Sequence, residues 1–314
     1  MSPGTEGKRL LESRAAGRAA ALAICTGDTV ERHQANAPDE RGFPIYSITK
    51  SFIAALALAL RDEGRLELDA PIARWLPELS FARDVTTRQL LQHTGGVPDY
   101  GGLPEYHAAV RAAPGRPWSD AEYAACTWER GLAFAPGEGW LYSNPGYVLV
   151  NRICERAGDA AFGALLESRV LAPLGLRATF LARAQADVGP IHPGWVWHGV
   201  LVSTAADVAV FYQRLFAGEL LRAAAVAEMK RTVRVPPQRA PWIDPGYGLG
   251  LMIASVGGLG AVLGHNGNGP GFTASGFHAP GPAGGAVTAC ALVAIEDERV
   301  PEGIVMSALE LAAK

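Results

Sequence analysis

The sequence predicts an α+β fold: an α/β sandwich in which an antiparallel sheet, built from both chain ends, is flanked by helices and interrupted by an inserted, mainly helical domain. Three observations predict it. Strand-like runs sit at the two ends of the 314-residue chain, helix-periodic apolar segments fill the middle, and one helix near residue 50 is apolar on every side. The expected division is a sheet domain of residues 1–80 with 236–314 and a helical insert of residues 81–235. A cleft between two such parts is a common place for a ligand site.

Residues 19–26, the turn pair Gly27-Asp28 and residues 29–33 read as a hairpin. A helix over 47–63 stops at Gly64, a residue suited to the left-handed position beyond a helix end. Residues 69–79 form a Pro-punctuated loop, and 86–93 a short helix halted by Gly95-Gly96. Residues 97–140 hold short helical pieces among many Pro and Gly. Apolar periodicity predicts helices over 147–157, 161–171 and 205–216. Strands return at 248–255, 260–264, 273–279 and 286–295, and a helix over 301–314 closes the chain.

A hydrophobic content of 49% with 19% charged residues describes a globular chain, neither disordered nor fibrous. The net charge of −3 gives no electrostatic reason to expect nucleic acid or an anionic membrane as partner. The longest apolar run, residues 51–60, is shorter than the ~18 residues a membrane helix needs. Charges at Glu12, Arg14 and Arg18 break up any signal-peptide core, so the expected location is the cytoplasm. Cys25, Cys126, Cys154 and Cys290 form no Cys-x-x-Cys pair and read as free thiols. His192 and His198 have no metal-binding spacing and read as structural. Neither a metal nor a cofactor is expected.

The chemistry-bearing segment is Ser47-Ile48-Thr49-Lys50. Residues three apart share a helix face, so the Ser47 hydroxyl and Lys50 amine are neighbours there. An amine beside a hydroxyl at the mouth of a buried helix is one way to activate a nucleophile. Lys8, Lys230 and Lys314 lie in polar or terminal stretches, whereas Lys50 leads into apolar residues, where lysine is rare without a partner. The alternative at this point is that Ser47 caps the helix and Lys50 reaches solvent. Tyr142-Ser143-Asn144 precedes a helix; a phenol there acts as a base only if cations depress its pKa, and Ser-Asn-Pro-Gly is equally good turn chemistry. Leu263 to Phe272, containing His265, Asn266, Gly267 and Asn268, is Gly-dense and reads as a connection between two strands. It has neither phosphate-loop nor dinucleotide spacing. Trp195, Trp197 and His198 are read as either cleft-lining or packed. His93 is taken as a helix-terminus residue. No Gly-x-Ser-x-Gly elbow exists, which argues against an α/β-hydrolase.

Ser-x-x-Lys, then Tyr-x-Asn, then His-x-Gly, in this order, resemble the serine β-lactamase and penicillin-binding protein superfamily, in its class C β-lactamase, D,D-peptidase and esterase branch. Further stretches agree: Asp62 to Pro71 followed by Trp75 to Leu79, and Leu90-Leu91-Gln92-His93-Thr94-Gly95-Gly96-Val97-Pro98-Asp99. So do Pro173 to Leu176, Ser203 to Asp207 and Gly246 to Gly250. The resemblance covers residues 19–314 and implies a β-lactamase/transpeptidase-like fold. It also implies an acyl-enzyme at Ser47, with Lys50 and Tyr142 handling its proton and Asn144 orienting Lys50 and the substrate amide. The oxyanion hole would be the backbone N–H groups of Ser47 and Asn268, with Gly267 keeping the strand free of bulk. Lys50 would need its pKa moved from ~10.4 to about 7–8, worth about 4 kcal/mol.

The branch's class C enzymes carry Lys-Thr-Gly where this chain has His265-Asn266-Gly267. A mostly neutral His attracts a carboxylate less than Lys, and Asn266 replaces a hydroxyl that would bond it. Members with D,D-peptidase or D-aminopeptidase activity use His-x-Gly. The resemblance therefore implies a serine hydrolase of an ester, amide or β-lactam, with a small-molecule or peptide acyl donor as partner. The alternatives are a penicillin-binding sensor that acylates without turning over and a D-aminopeptidase or D-alanyl carboxypeptidase.

Overall fold

The computed structural model describes residues 3–37, 42–281 and 285–313. Residues 1, 2, 38–41, 282–284 and 314, which fall within the expected sheet domain and closing helix, lie outside them. The fold is a large antiparallel sheet flanked by helices. Its strands in chain order are β1 (Ala20–Thr26), β2 (Thr29–Ala35), β3 (Phe43–Pro44), β4 (Phe180–Leu181), β5 (Leu201–Ser203), β6 (Val233–Arg234), β7 (Ile243–Tyr247), β8 (Met252–Val256), β9 (Gly260–Gly269), β10 (Phe272–Ala279) and β11 (Val287–Val293). Eight form one sheet in the order β2-β1-β11-β10-β9-β8-β7-β6, while β3, β5 and β4 make a small second sheet. Strands from the early and late parts of the sequence therefore meet next to one edge of the sheet, where β1 pairs with β11.

Two helix layers bury this sheet. On one face, Leu22, Ile24, Ala289 and Ala291 pack with Leu11 of helix Pro3–Ala15 and with Ile304, Val305 and Leu309 of helix Arg299–Ala312. On the other, Ala21, Ala23, Cys290 and Leu292 join the core of helix Ala205–Ala217 and of the central helix Thr49–Asp62. Alternate residues of one strand thus enter two different cores. This explains why β1 and β11 read as continuous apolar runs rather than as a polar–apolar alternation.

The central helix is buried along almost its whole length, and Phe52 stacks on Phe211 with centroids 3.7 Å apart. Its polar Ser51 donates to the Gly250 carbonyl (2.6 Å) and meets the Tyr212 hydroxyl (2.8 Å), as a buried hydroxyl must. A Cβ on Gly250 would run into Ala54 and the Lys50 carbonyl, so the sheet presses against this helix only because residue 250 has none.

Several boundaries differ from expectation. The helix begins at Thr49, and Ser47 sits in a 3₁₀ turn, Tyr46–Ile48. The helix expected over 161–171 is Phe162–Leu166 followed by a π turn, Glu167–Leu171. Strand β9 runs on to Gly269, so His265 to Asn268 are in a strand and not in a connecting loop. Helix Pro3–Ala15 was not anticipated; among its described side chains the deeply buried apolar ones are Leu11 and Ala15, too sparse a stripe to stand out. Among the described residues no helix is long and apolar enough to cross a membrane.

Candidate active site

Ser47 owes its position to an unusual turn. Tyr46 adopts a left-handed backbone (φ 43°), a conformation that costs a non-glycine residue of order 1–3 kcal/mol unless its surroundings hold it. Here the Tyr46 hydroxyl donates to the Pro270 carbonyl at 2.7 Å, anchoring the turn to the far end of β9. A Cβ on Gly267 would collide with the Ile45 carbonyl, and one on Gly269 with the Tyr46 ring. The two glycines therefore let β9 lie flush against the turn, bringing the Asn268 stretch beside Ser47. β8 pairs with β9 only through Gly260–Gly264, so the edge of β9 beyond Gly264 is unpaired on that side.

Lys50 is fully buried, as the second residue of the helix. Its amine donates to Asn144 Oδ1 (2.7 Å) and lies 3.0 Å from Ser47 Oγ and 3.2 Å from His198 Nε2. Burial lowers its pKa to about 7, only partly opposed by the Asp99 carboxylate. The alternative in which Lys50 reaches solvent does not hold.

Asn144 opens helix Asn144–Gly158, whose N-cap is Ser143, its hydroxyl accepting the Gly146 N–H at 3.0 Å. The Ser-Asn-Pro-Gly stretch is thus a helix start rather than a free turn. Asp99 Oδ1 accepts both the Asn144 backbone N–H (2.8 Å) and Nδ2 (3.0 Å), which fixes the amide with its oxygen toward Lys50. His93, just past helix Thr87–Leu91, accepts the Ser143 N–H on Nδ1 at 3.0 Å and so clasps the same loop. Tyr142 hydrogen-bonds Ser47, and its ring centroid is 4.9 Å from the Lys50 amine. Burial raises its pKa, opposed by the Ser47 hydrogen bond.

The β9 residues are arranged differently. His265 Nε2 pairs with the Tyr247 hydroxyl (2.9 Å) and Nδ1 lies 2.5 Å from the Asn266 carbonyl, so both ring nitrogens are engaged. Burial, with Lys50 nearby, pushes its pKa down to about 3 and keeps it neutral. Asn266 donates Nδ2 to Glu302 Oε1 at 2.5 Å, and Glu302 Oε2 takes Arg239 at 2.6 Å. Gly267 is buried and Asn268 is exposed beside the turn.

The structure therefore brings Ser47, Lys50, Tyr142 and Asn144 into one hydrogen-bonded group, with His265 to Asn268 alongside. Trp195 packs against Tyr106 and Trp118, and Trp197 stacks on Tyr123 at 4.0 Å, so of that cluster His198 alone reaches Lys50. His192 accepts the Gly194 N–H at 3.0 Å, as a structural residue. Sequence reasoning gave no individual role to Asp99 and read His198 as structural or, with Trp195 and Trp197, as cleft-lining. The Pro98-Asp99 end of the family-like segment carried a signal for the first; for the second the cleft-lining reading was a signal, but nothing tied it to Lys50. Among the described residues no group of His, Cys, Asp and Glu is placed to hold a metal ion.

An apolar cavity of about 170 Å³, lined by Trp140, Tyr142, Trp242, Tyr247, Met252 and Ile253, adjoins this group through Tyr142. A larger groove of about 690 Å³, bordered by Trp118, Asn151, His192 and Trp197, touches none of Ser47, Lys50 and Tyr142, so its size gives it no claim on the chemistry.

Residues 8–293 match the family model described as Beta-lactamase. Penicillin-binding protein 4* of Bacillus subtilis is 26% identical over 268 residues, 74% of this chain and 56% of that protein. Esterase EstB of Burkholderia gladioli is 33% identical over 165 residues, 48% of this chain and 42% of that protein. The chain thus spans about half the length of these curated relatives. A D-stereospecific amidohydrolase from Streptomyces sp. superposes with a TM-score of 0.82 at 26% identity, over 95% of this chain and 97% of that one.

Proposed function

The chain belongs to the beta-lactamase family, and from that premise we propose that it is a serine hydrolase, working through an acyl-enzyme at Ser47 on uncharged esters and amides. The observation that carries this reading is the buried Lys50 amine 3.0 Å from Ser47 Oγ, with no carboxylate in contact among the described residues to hold it charged. Its pKa near 7 suits a general base at neutral pH, whereas the Tyr142 phenol is pushed the other way and keeps its proton.

In acylation Lys50 takes the Ser47 proton as the Ser47 oxygen bonds to the substrate carbonyl carbon. The carbonyl electron pair moves to the oxygen, held by the N–H groups of Ser47 and Asn268. Collapse breaks the bond to the leaving alcohol or amine, which receives the proton from Lys50 by way of the Tyr142 phenol. Water then repeats the addition at the acyl carbon, the bond to Ser47 breaks, and Ser47 regains a proton. Asn144, fixed by Asp99, orients Lys50 and the acyl group. We place the cleft between the sheet part, which helix Ala205–Ala217 and β6 join, and the helices earlier in the stretch 81–235.

Uncharged donors are favoured because, among the described residues, the β9 side chains offer no cation to a substrate carboxylate. His265 is neutral and saturated, Asn266 is turned to Glu302, and the neighbouring cavity is apolar. It is close to the ~150 Å³ of a benzene-binding cavity, so an aryl or short alkyl leaving group fits it. The resemblance to an esterase and to a D-stereospecific amidohydrolase supports the same class. The test is intact-mass analysis and turnover with a neutral chromogenic ester, a D-amino-acid amide and a penicillin. Turnover of the neutral donors with a transient adduct on Ser47 is expected. A single lost charge-assisted contact, about 1.5–3 kcal/mol, predicts roughly ten- to hundredfold lower kcat/KM for carboxylated donors. A persistent penicillin adduct without turnover of any donor would make the chain a sensor-like binder instead.

A further inference from the structure

His198 has no place in the reading above, yet it is one of only three polar neighbours of the Lys50 amine among the described residues, with Asn144 Oδ1 and Ser47 Oγ. It is buried, and its backbone carbonyl is pinned by Asn151 Nδ2 at 2.6 Å. Its Nδ1 is buried and unpartnered among the described residues, so its contact through the ring is with Lys50 alone.

The tautomer of that ring controls what Lys50 does. A protonated amine has three N–H groups and no lone pair, so the imidazole nitrogen facing it must be bare, with the ring proton on Nδ1. Asn144 likewise shows Lys50 only its oxygen, because its Nδ2 is held by Asp99. Both neighbours can then only accept. When the amine loses a proton, the N–H given up is the one aimed at Ser47, and the lone pair appears where the nucleophile's proton is. The opposite tautomer, Nε2–H, would donate into that lone pair and turn the amine away from Ser47. A carboxylate in the same place would hold Lys50 charged. A neutral imidazole does neither.

We propose that His198 is a positioning residue for the acylation base: in its Nδ1–H tautomer it takes, with Asn144, two N–H groups of Lys50 and so directs the lone pair of the neutral amine at Ser47. This rests on the reading of Lys50 as the base. The other titratable groups facing Lys50 are Asp99, acting through Asn144; Tyr142 and Tyr147, with ring centroids 4.9 and 5.6 Å from the amine; and His93 and His265, both kept neutral by burial.

Two measurements on the whole chain test it. Long-range ¹H–¹⁵N spectra, with His198 assigned by its absence in His198→Gln, should show a bare Nε2 and a protonated Nδ1. A protonated Nε2 overturns the proposal, whether or not any substrate is turned over. In kinetics with a neutral ester, His198→Leu should lower kcat roughly ten- to hundredfold with little change in KM. Its acid limb should move to lower pH, because the ammonium form loses an acceptor. His198→Gln, whose Oε1 reaches the place of Nε2, should recover most of the rate. A folded His198→Leu with unchanged kcat and an unshifted limb overturns the proposal, as does a Gln variant no better than Leu. If the wild-type chain turns over no donor at all, the proposed hydrolase function fails, while the tautomer measurement still decides the placement of His198.

Discussion

Two stretches line the same cleft with buried polar groups, and they end in opposite conditions. Around the mouth of helix Thr49–Asp62, Lys50 meets a hydroxyl, an amide oxygen and a ring nitrogen and, among the described residues, no acid. Along β9, His265 and Asn266 are matched by Tyr247, a backbone carbonyl and the Glu302 carboxylate. The first group can release a proton toward a substrate; the His265 and Asn266 side chains offer one no charge, although Asn266 Oδ1 is buried without a partner among the described residues. A buried polar side chain becomes reactive when its partners leave one direction open, and structural when they close every direction.

Removing the open partner should have the largest effect. Ser47→Ala is expected to lower kcat on the order of 10⁴-fold or more, with no adduct by intact mass. Lys50→Met should cost nearly as much activity while making the fold more stable. The sign follows from linkage: the folded pKa of Lys50, about 7, lies below its unfolded value of about 10.4. Between these values the unfolded chain binds the extra proton, so wild-type stability should rise by about 1.4 kcal/mol per pH unit from this group. Denaturant melts at pH 7 and pH 9 should show that slope in the wild type and its loss in Lys50→Met. In the wild type, kcat/KM should fall tenfold per unit below pH 7, as the base becomes protonated.

A smaller effect is expected one step out. Asp99→Ala frees the Asn144 amide to rotate, and a misplaced base should lower kcat roughly ten- to hundredfold. On the saturated side the contrast should sharpen. Asn266→Ala should leave neutral-ester kcat within about threefold yet destabilise the fold by about 1–3 kcal/mol, because Glu302 loses a buried partner. A large loss of activity with no loss of stability would erase the distinction between the two stretches.

The contact between Ser47 and Lys50 was legible in the sequence because its spacing is local: the two are three residues apart, and an apolar run announces burial. Of the sheet, β1, β10 and β11 were legible from apolar runs and β2 from the Gly27-Asp28 turn, whereas β6 and β7 were not anticipated. What sequence reading missed depends on approach across space. His198 reaches Lys50 from 148 residues away, and a lone histidine between Trp197 and Gly199 carries no pattern. The β9 residues were taken for a connection because glycines signal turns. Here Gly267 and Gly269 instead allow a strand to touch the Ile45 backbone and the Tyr46 ring. Helix ends and the π turn at Glu167–Leu171 were set by packing that no periodicity records.

That flush contact makes mutational freedom unequal around the cleft. On the β9 wall the smallest possible change, a single methyl at 267 or 269, would lever the strand off the turn and part the two backbone amides that must converge on one oxygen. The wall formed by Trp140, Trp242 and Met252 consists of side chains that can be trimmed one at a time. New acyl donors, whether acquired by natural drift or by laboratory selection, should therefore be admitted by erosion of the aromatic wall, while the glycine wall stays as it is.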